Sequence, residues 1–403
     1  MTAGARPRDP RLDFFRGIGM LIIFTAHMPG NWLTLWIPAR FGFSDATEIF
    51  VFCSGMASAI AFGRVFRERG WTMGTLRVSH RIWQVYWAHI GLFFAVAVSM
   101  VVLNRVTWVE DYDYVAYLNL TPFFAEPQAL LPGLMTLTYV PNYFDILPMY
   151  LVILALLPFV LALHAVGGPL LALGAVAALW LATQFGLTGL PAEPFSDRVW
   201  FFNPFGWALI FFTGFGFAAG WIPAPPFRWW LVALAVAILL ASVPFAYFRI
   251  HQNVEWLTLL RDEDGLFREF YTKTQFGILR YIHFLALAYL AFVAAGAGGL
   301  RLIGQGLWGR SVAVLMKVGQ QSLAVFLMGM FSARLFGAAV DHIQDILSQG
   351  DPEAEIFWSM WVTMAAANIL GWLLLIVTAY AVSWLKSKPW QAAAPVPRRA
   401  TVP

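Results

Sequence analysis

Apolar runs close to the roughly 20 residues needed to cross a bilayer recur along the whole chain, separated by short polar breaks. They fall at about 14–35, 46–63, 82–103, 144–164, 168–186, 204–222, 229–248, 278–297, 312–334 and 357–385. The pattern predicts an all-α polytopic membrane protein with about ten transmembrane helices. Ten spans place both termini on one side. The breaks on that side carry 15 Lys and Arg residues against seven on the other. Positive charge is held on the cytoplasmic side of a membrane, so both termini are expected in the cytoplasm. The acidic runs Glu110–Asp113, Asp262–Asp264 and Asp351–Glu355 then lie outside.

Two stretches depart from simple spans. Residues 104–143 contain Ala129–Met135, which is too short to cross and is interrupted by Pro132 and Gly133, so an interfacial or re-entrant piece is expected there. The runs 144–164 and 168–186 are joined only by Gly167, Gly168 and Pro169, the signature of a helical hairpin. No small-residue cleavage site follows the first run, which is expected to remain as the first span. Residues 1–385 read as a single transmembrane domain and 386–403, rich in Pro, as a disordered cytoplasmic tail.

Composition strengthens this picture. The 403 residues are 60% hydrophobic and 12% charged, about half the charge of an ordinary soluble domain. The basic residues flank apolar spans rather than forming a stripe, which argues against nucleic acid as a partner and for the lipid bilayer. The single cysteine, Cys53, excludes an intramolecular disulfide and a thiolate zinc cluster. There is no P-loop, no His-Glu-x-x-His pair and no Gly-x-Ser-x-Gly elbow. No tightly bound metal is expected.

The candidate chemistry begins in the first span. Burying charge in hydrocarbon costs roughly 2.5–3.5 kcal/mol per central charge on insertion scales, so Asp13, Arg16 and His27 require a reason to be there. Asp13 and Arg16 are three apart and share a helix face, where they can pair. His27 lies eleven residues beyond Arg16, roughly 16 Å along the axis, just before the breaker Met28-Pro29-Gly30. Its imidazole is a candidate general base on a hydroxyl or a histidine satisfied by a neighbouring carbonyl. Arg77 and Arg81 are four apart in the densest basic segment and can grip one anion, although anionic lipid headgroups would ask for the same residues. His89 follows inside the third span, where it is grouped with Arg77 and Arg81 as a candidate at the donor's site. Arg280 and His283 share a face of the eighth span, where Arg280 either serves a ligand or pairs with Asp145 or Glu48. Asp45 and Glu48 open the second span and Asp145 the fourth, positions the helix dipole favours. Asn203 opens the sixth.

The blocks Leu12-Asp13-Phe14-Phe15-Arg16-Gly17 with His27, and Phe50-Val51-Phe52-Cys53-Ser54-Gly55, resemble the membrane-bound acyltransferase-3 superfamily. The likeness is closer to its OpgC branch through Arg81–His89, Phe144–Tyr150, Phe202–Trp207, Leu279–Phe284 and Gly319–Leu323. These blocks run from the first predicted span to the ninth. The resemblance implies a ten-span enzyme of the bacterial inner membrane that moves a succinyl or similar acyl group from cytoplasmic acyl-CoA to hydroxyls of osmoregulated periplasmic glucans. It maps the family's helix-one histidine and arginine onto His27 and Arg16, and its basic site onto Arg77 and Arg81. Ala208 follows Trp207 where glucan-modifying members often carry Gln. With Asp13 and Arg16 near the donor's entrance, His27 as base, and Ser54, Tyr150 or Asn203 as candidate donors to an oxyanion, an O-acyl transfer is expected. Arg280 and His283 are expected to face a succinyl carboxylate. Direct transfer and an acyl-histidine intermediate both fit. The alternative is a proton-coupled secondary transporter of a small anionic solute, although no repeated pair of broken helices marks the two halves.

Overall fold

The computed structural model describes residues 9–106, 112–261, 266–348 and 355–391. Among these the chain is helical, with one isolated bridge between Pro191 and Val199 in place of any strand. We number the principal helices α1 (Pro10–His27), α2 (Ala46–Ser58), α3 (Arg64–Val106), α4 (Ile146–Gln184), α5 (Pro204–Ala219), α6 (Trp229–Ala246), α7 (Ile278–Ala295), α8 (Gly306–Gln320), α9 (Ser322–Ser348) and α10 (Glu355–Lys386). Six helical stretches are long and apolar enough to cross a membrane: Ala46–Val106, Ile146–Gln184, Trp229–Ala246, Ile278–Ala295, Ser322–Leu347 and Ser359–Lys386.

Two of these stretches are bent back on themselves by glycine. In α3 the backbone leaves helical geometry at Gly70, with φ 78°, and a π turn at Ala59–Gly63 connects α2 into it. In α4 it does so at Gly167 and Gly168, the latter with φ 70°. The far end of α4 returns to its start: the Val140 N–H bonds the Ala192 carbonyl at 2.7 Å, and the Phe201 N–H meets the Asp145 carboxylate at 3.3 Å. A straight helix of 39 residues would be roughly 58 Å long, beyond the reach of the two short connections. The expected hairpin is therefore present.

Elsewhere the boundaries move. The first apolar run does not reach residue 35, because α1 stops at His27: Pro29 removes a backbone donor, Gly30 takes φ +66°, and residues Trp32–Trp36 form only a 3-10 turn. The run 312–334 is not one helix. It breaks at Gln321, where α8 ends and α9 begins. The polar residues at this break are engaged, with Gln320 Nε2 donating to Asp13 and Lys386 Nζ to Gln321. Residues 104–143 hold three short helices, Tyr114–Tyr117, Thr121–Ala125 and Pro127–Thr136. The acidic runs lie wholly or partly outside the described residues, as does most of the tail.

Helices touch through glycine. A Cβ on Gly17 would sit 2.0 Å from the Leu315 carbonyl oxygen, and one on Gly319 would sit 1.9 Å from that of Asp13, so α1 and α8 cross in backbone contact. Gly55 and Gly214 do the same for α2 and α5, against Phe211 and Phe52. Small residues at crossings are what helices use where no water drives them together. The far end of α1 is pinned by a buried amide cluster. Asn31 donates to the Thr25 carbonyl and to Asn368 Oδ1, both at 3.0 Å, and Asn368 Nδ2 donates back to Asn31 at 3.2 Å.

Candidate functional site

Helix α1 carries one polar group at each level of the bundle. Asp9 caps its start by accepting from the Arg11 N–H, and Pro10 fits the first turn. Arg16, only 7% exposed, sends Nη2 to the Cys53 carbonyl on α2 at 2.7 Å, and its Nε has no hydrogen-bond partner. Asp13 accepts from Gln320 at 3.3 Å. Each of these two side chains is thus tied to a neighbouring helix.

Arg16 opens onto a cavity of about 220 Å³ that it shares with Arg77, Arg81 and Gln84 of α3, Ser54 of α2 and Tyr150 of α4. The fold-back at Gly70 is what brings Arg77 and Arg81 over Ala57 of α2 and Ala61 of the π turn that follows it. Among the described residues the hydrogen-bond partner of Arg81 is the neutral Gln84, at 3.3 Å. None of the lining residues is acidic. Three guanidiniums around a space lined by no carboxylate give it a positive character, and their forked donors have the geometry that suits phosphate. Tyr150, in the first turns of α4, lines this cavity, and Tyr143 lies in the loop just before that helix.

Tyr143 is where His27 is found. The two rings meet edge to face at 5.4 Å. His27 Nδ1 lies 2.7 Å from the Ile23 carbonyl oxygen, which can only accept, so Nδ1 carries the hydrogen and Nε2 holds the lone pair of the neutral ring. This is the tautomer a general base requires. His27 is thus satisfied by a neighbouring carbonyl at one nitrogen and carries its lone pair on the other. Tyr143 occupies the left-handed region at φ 85°, and its hydroxyl donates to the Met330 carbonyl. The Arg334 guanidinium lies 4.1 Å over the Tyr143 ring and 5.1 Å over that of Tyr117.

A second cavity, of about 390 Å³, is lined by Arg40, Asp45, Lys273 and Arg280 together with Phe43, Phe201, Phe248 and Tyr271. Its charges are largely matched. Arg280 Nε and Nη2 reach Glu48 Oε1 at 2.7 and 2.6 Å, and Lys273 Nζ reaches Asp45 at 2.6 Å. Burial alone would raise the Asp45 carboxyl, but Lys273 and Arg280 beside it hold it well below the usual carboxylate range. Asp45 and Glu48 also close a capping box at the start of α2. Of the two uses weighed for Arg280, pairing with Glu48 is the one the contacts favour.

The remaining candidates are structural in their contacts. His283 Nδ1 accepts from the Ser44 backbone N–H at 3.3 Å and lies 2.6 Å from its hydroxyl, anchoring the loop before α2. Asn203 caps α5 through the Phe205 N–H and reaches the Thr188 carbonyl at 2.9 Å. Asp145 receives the Phe201 N–H. His89 is fully buried, neither ring nitrogen has a partner, and it lines neither cavity. The structure thus gathers Arg16, Arg77, Arg81, Ser54 and Tyr150, sets His27 apart beside Tyr143, and sends Arg280, Glu48, His283, Asn203 and Asp145 to other tasks.

Sequence reasoning missed Tyr143 and Arg334. Arg334 stood at the edge of a predicted span, where a cation is unremarked. Only the break at Gln321 moves it to the middle of a helix, where an ionisable residue asks for a function.

No curated protein and no solved structure gives a significant match. A family model described as OpgC protein matches residues 8–387, which takes in every helix and both cavities. The chain belongs to the OpgC family, and that membership implies an acyltransferase.

Proposed function

We propose that this chain is a multi-pass inner-membrane O-acyltransferase that moves a succinyl or similar acyl group from cytoplasmic acyl-CoA to hydroxyls of periplasmic glucans. The observation that carries this reading is the acid-free cavity lined by Arg16, Arg77 and Arg81, of which Arg16 shares α1 with a histidine whose Nδ1 is bonded to the Ile23 carbonyl, leaving the lone pair on Nε2. Phosphate groups of the donor rest on the three guanidiniums, and the pantetheine arm runs past Ser54 and Tyr150 toward His27. In this reading the chain crosses ten times with both termini in the cytoplasm, so that the cavity faces the donor's side and His27 the acceptor's.

In the reaction the His27 Nε2 lone pair takes the proton of a sugar hydroxyl as its oxygen forms a bond to the thioester carbonyl carbon. The tetrahedral intermediate collapses by breaking the carbon–sulfur bond. The imidazolium proton then goes to the departing thiolate, giving free CoA and a sugar ester. The Ile23 carbonyl stabilises the imidazolium through Nδ1–H, the service a carboxylate performs in other histidine-base enzymes.

The test uses purified full-length protein with labelled succinyl-CoA and a neutral glucan. Label entering an alkali-labile ester on the glucan supports the reading. A correctly folded protein that transfers none from any acyl-CoA, or that instead moves a small anion across vesicles, overturns it. Mass spectrometry of periplasmic glucans from cells with and without the protein reports the acyl mass and the acceptor together.

A further inference from the structure

An arginine inside an apolar bundle is costly unless something offsets its charge. Near the far end of α1 the cations divide on this point. Lys273 is matched by Asp45, and Arg280 by Glu48. Arg334 forms no ion pair among the described residues, and its buried Nε has no hydrogen-bond partner. The two carboxylates of its own helix, Asp341 and Asp345, are seven and eleven residues further on, roughly 10 and 16 Å along the axis. What holds the guanidinium is aromatic: it lies between the rings of Tyr143 and Tyr117. Stacking fixes the plane of the fork; its edge has the Tyr143 hydroxyl as a polar neighbour and, among the described residues, no carboxylate, which leaves the part that binds an oxyanion without a counter-charge.

Its place relative to His27 is bounded. The imidazole centre is 5.4 Å from the centre of the Tyr143 ring, which is 4.1 Å from the guanidinium carbon, so the two functional groups are within 9.5 Å of each other. A four-carbon dicarboxylic acyl group has three carbon–carbon bonds between its two carboxyl carbons, an extended reach of about 4 Å. A hydrogen bond of about 3 Å from His27 to the hydroxyl, a contact of roughly 3 Å from that oxygen to the reacting carbonyl and a hydrogen bond of about 3 Å at the distal carboxylate bring the extended sum to about 13 Å, so the acyl group and the attacking hydroxyl fit the interval in a bent arrangement.

We propose that Arg334 is the acyl-specificity residue: its guanidinium takes the distal carboxylate of a dicarboxylic acyl donor while the thioester carbonyl is presented to the hydroxyl that His27 deprotonates. This rests on the function proposed above. It assigns to Arg334 the task that the sequence pattern suggested for Arg280. A monocarboxylic acyl group leaves the guanidinium unengaged, so the site discriminates by charge.

The experiment compares kcat/KM for succinyl-CoA and for butyryl-CoA, its uncharged four-carbon counterpart, in wild-type protein and in Arg334→Gln and Arg334→Lys variants. Loss of a hydrogen-bonded charge pair predicts a fall of about 10- to 100-fold for succinyl-CoA in Arg334→Gln. Butyryl-CoA should change by less than about threefold, and Arg334→Lys should retain part of the preference. An equal fall for both donors, or no change in their ratio, overturns the proposal. Should Arg334→Gln melt below the assay temperature, the ratio in Arg334→Lys decides by the same criterion. Wild-type protein that transfers neither donor overturns the acyltransferase reading itself, whereas an active wild type with an unaltered ratio in the variants overturns only the role of Arg334.

Discussion

His27 and Ile23 are joined within one helical turn, Nδ1 to carbonyl oxygen at 2.7 Å. The bond consumes one nitrogen, orients the ring toward Tyr143, and uses only backbone to do so. Replacing His27 by Ala should therefore cost little in folding and much in chemistry. A lost general base is worth roughly 10²–10⁴-fold in rate. Succinyl transfer by His27→Ala should fall by that order while its melting temperature in detergent stays near that of the wild type. Full transfer by this variant would remove His27 from the mechanism.

Arg77 and Arg81 act on a different quantity. They line the cavity but lie far from the imidazole, so the double variant Arg77→Ala with Arg81→Ala should raise KM for acyl-CoA and leave kcat within a few-fold. Charge-assisted hydrogen bonds contribute roughly 1.5–3 kcal/mol each, so a 10- to 100-fold rise in KM is expected per arginine that bears directly on phosphate. The effect should shrink with added salt, because these side chains are partly open to solvent.

The Arg280–Glu48 pair makes a stability prediction rather than a kinetic one. Glu48 is fully buried and its Oε1 is gripped by two guanidinium nitrogens. Removing the arginine leaves that carboxylate alone, a change that costs roughly 3–5 kcal/mol in comparable buried pairs. Arg280→Ala should melt well below the wild type, and adding Glu48→Gln should recover part of the loss. If Arg280→Ala is fully stable and only succinyl binding fails, Arg280 has the ligand role after all.

Acid should report on the same corner of the molecule. Asp45 keeps its carboxyl well below the usual range, so it contributes stability at pH values above its unfolded pKa, near 4, and loses that contribution as pH falls through the lower folded value. The melting difference between wild type and Asp45→Asn should be complete at pH 7 and close only in strong acid. A difference that vanishes by pH 6 would contradict the pairing with Lys273.

The helix crossings can be tested with one methyl group. Gly319→Ala places a carbon against the Asp13 carbonyl and should cost about 1–3 kcal/mol through forced separation of α1 and α8. Gly91→Ala, in α3 with nothing within 4 Å, should be neutral or mildly stabilising.

Much of this arrangement is legible from residues alone, and the limits have physical reasons. Apolar run lengths locate most helices, and the Gly167-Gly168-Pro169 turn announces its hairpin, because these are local properties of the chain. The meeting of Arg16, Arg77 and Arg81 was implied by the family resemblance, which maps all three to the donor's side, and not by spacing. The break at Gln321 did not, since it is set by contacts of Gln320 and Gln321 with Asp13 and Lys386, which are distant in the chain. Arg280 could not be assigned for the same reason: its partner Glu48 is 232 residues away. Tyr143 carried no signal at all, because its strained backbone and its place beside His27 are made by tertiary packing.

Helix α1 also has a phase. Each residue turns a helix by about 100° and advances it by 1.5 Å, and the crossing at Gly17 fixes the rotation of α1 against α8. A single residue inserted between Gly17 and Thr25 would leave Arg16 in its cavity and swing the imidazole about a quarter turn from Tyr143. The cation and the base are therefore coupled by angle as much as by distance, and length changes within this helix should be tolerated far less than substitutions of its apolar side chains.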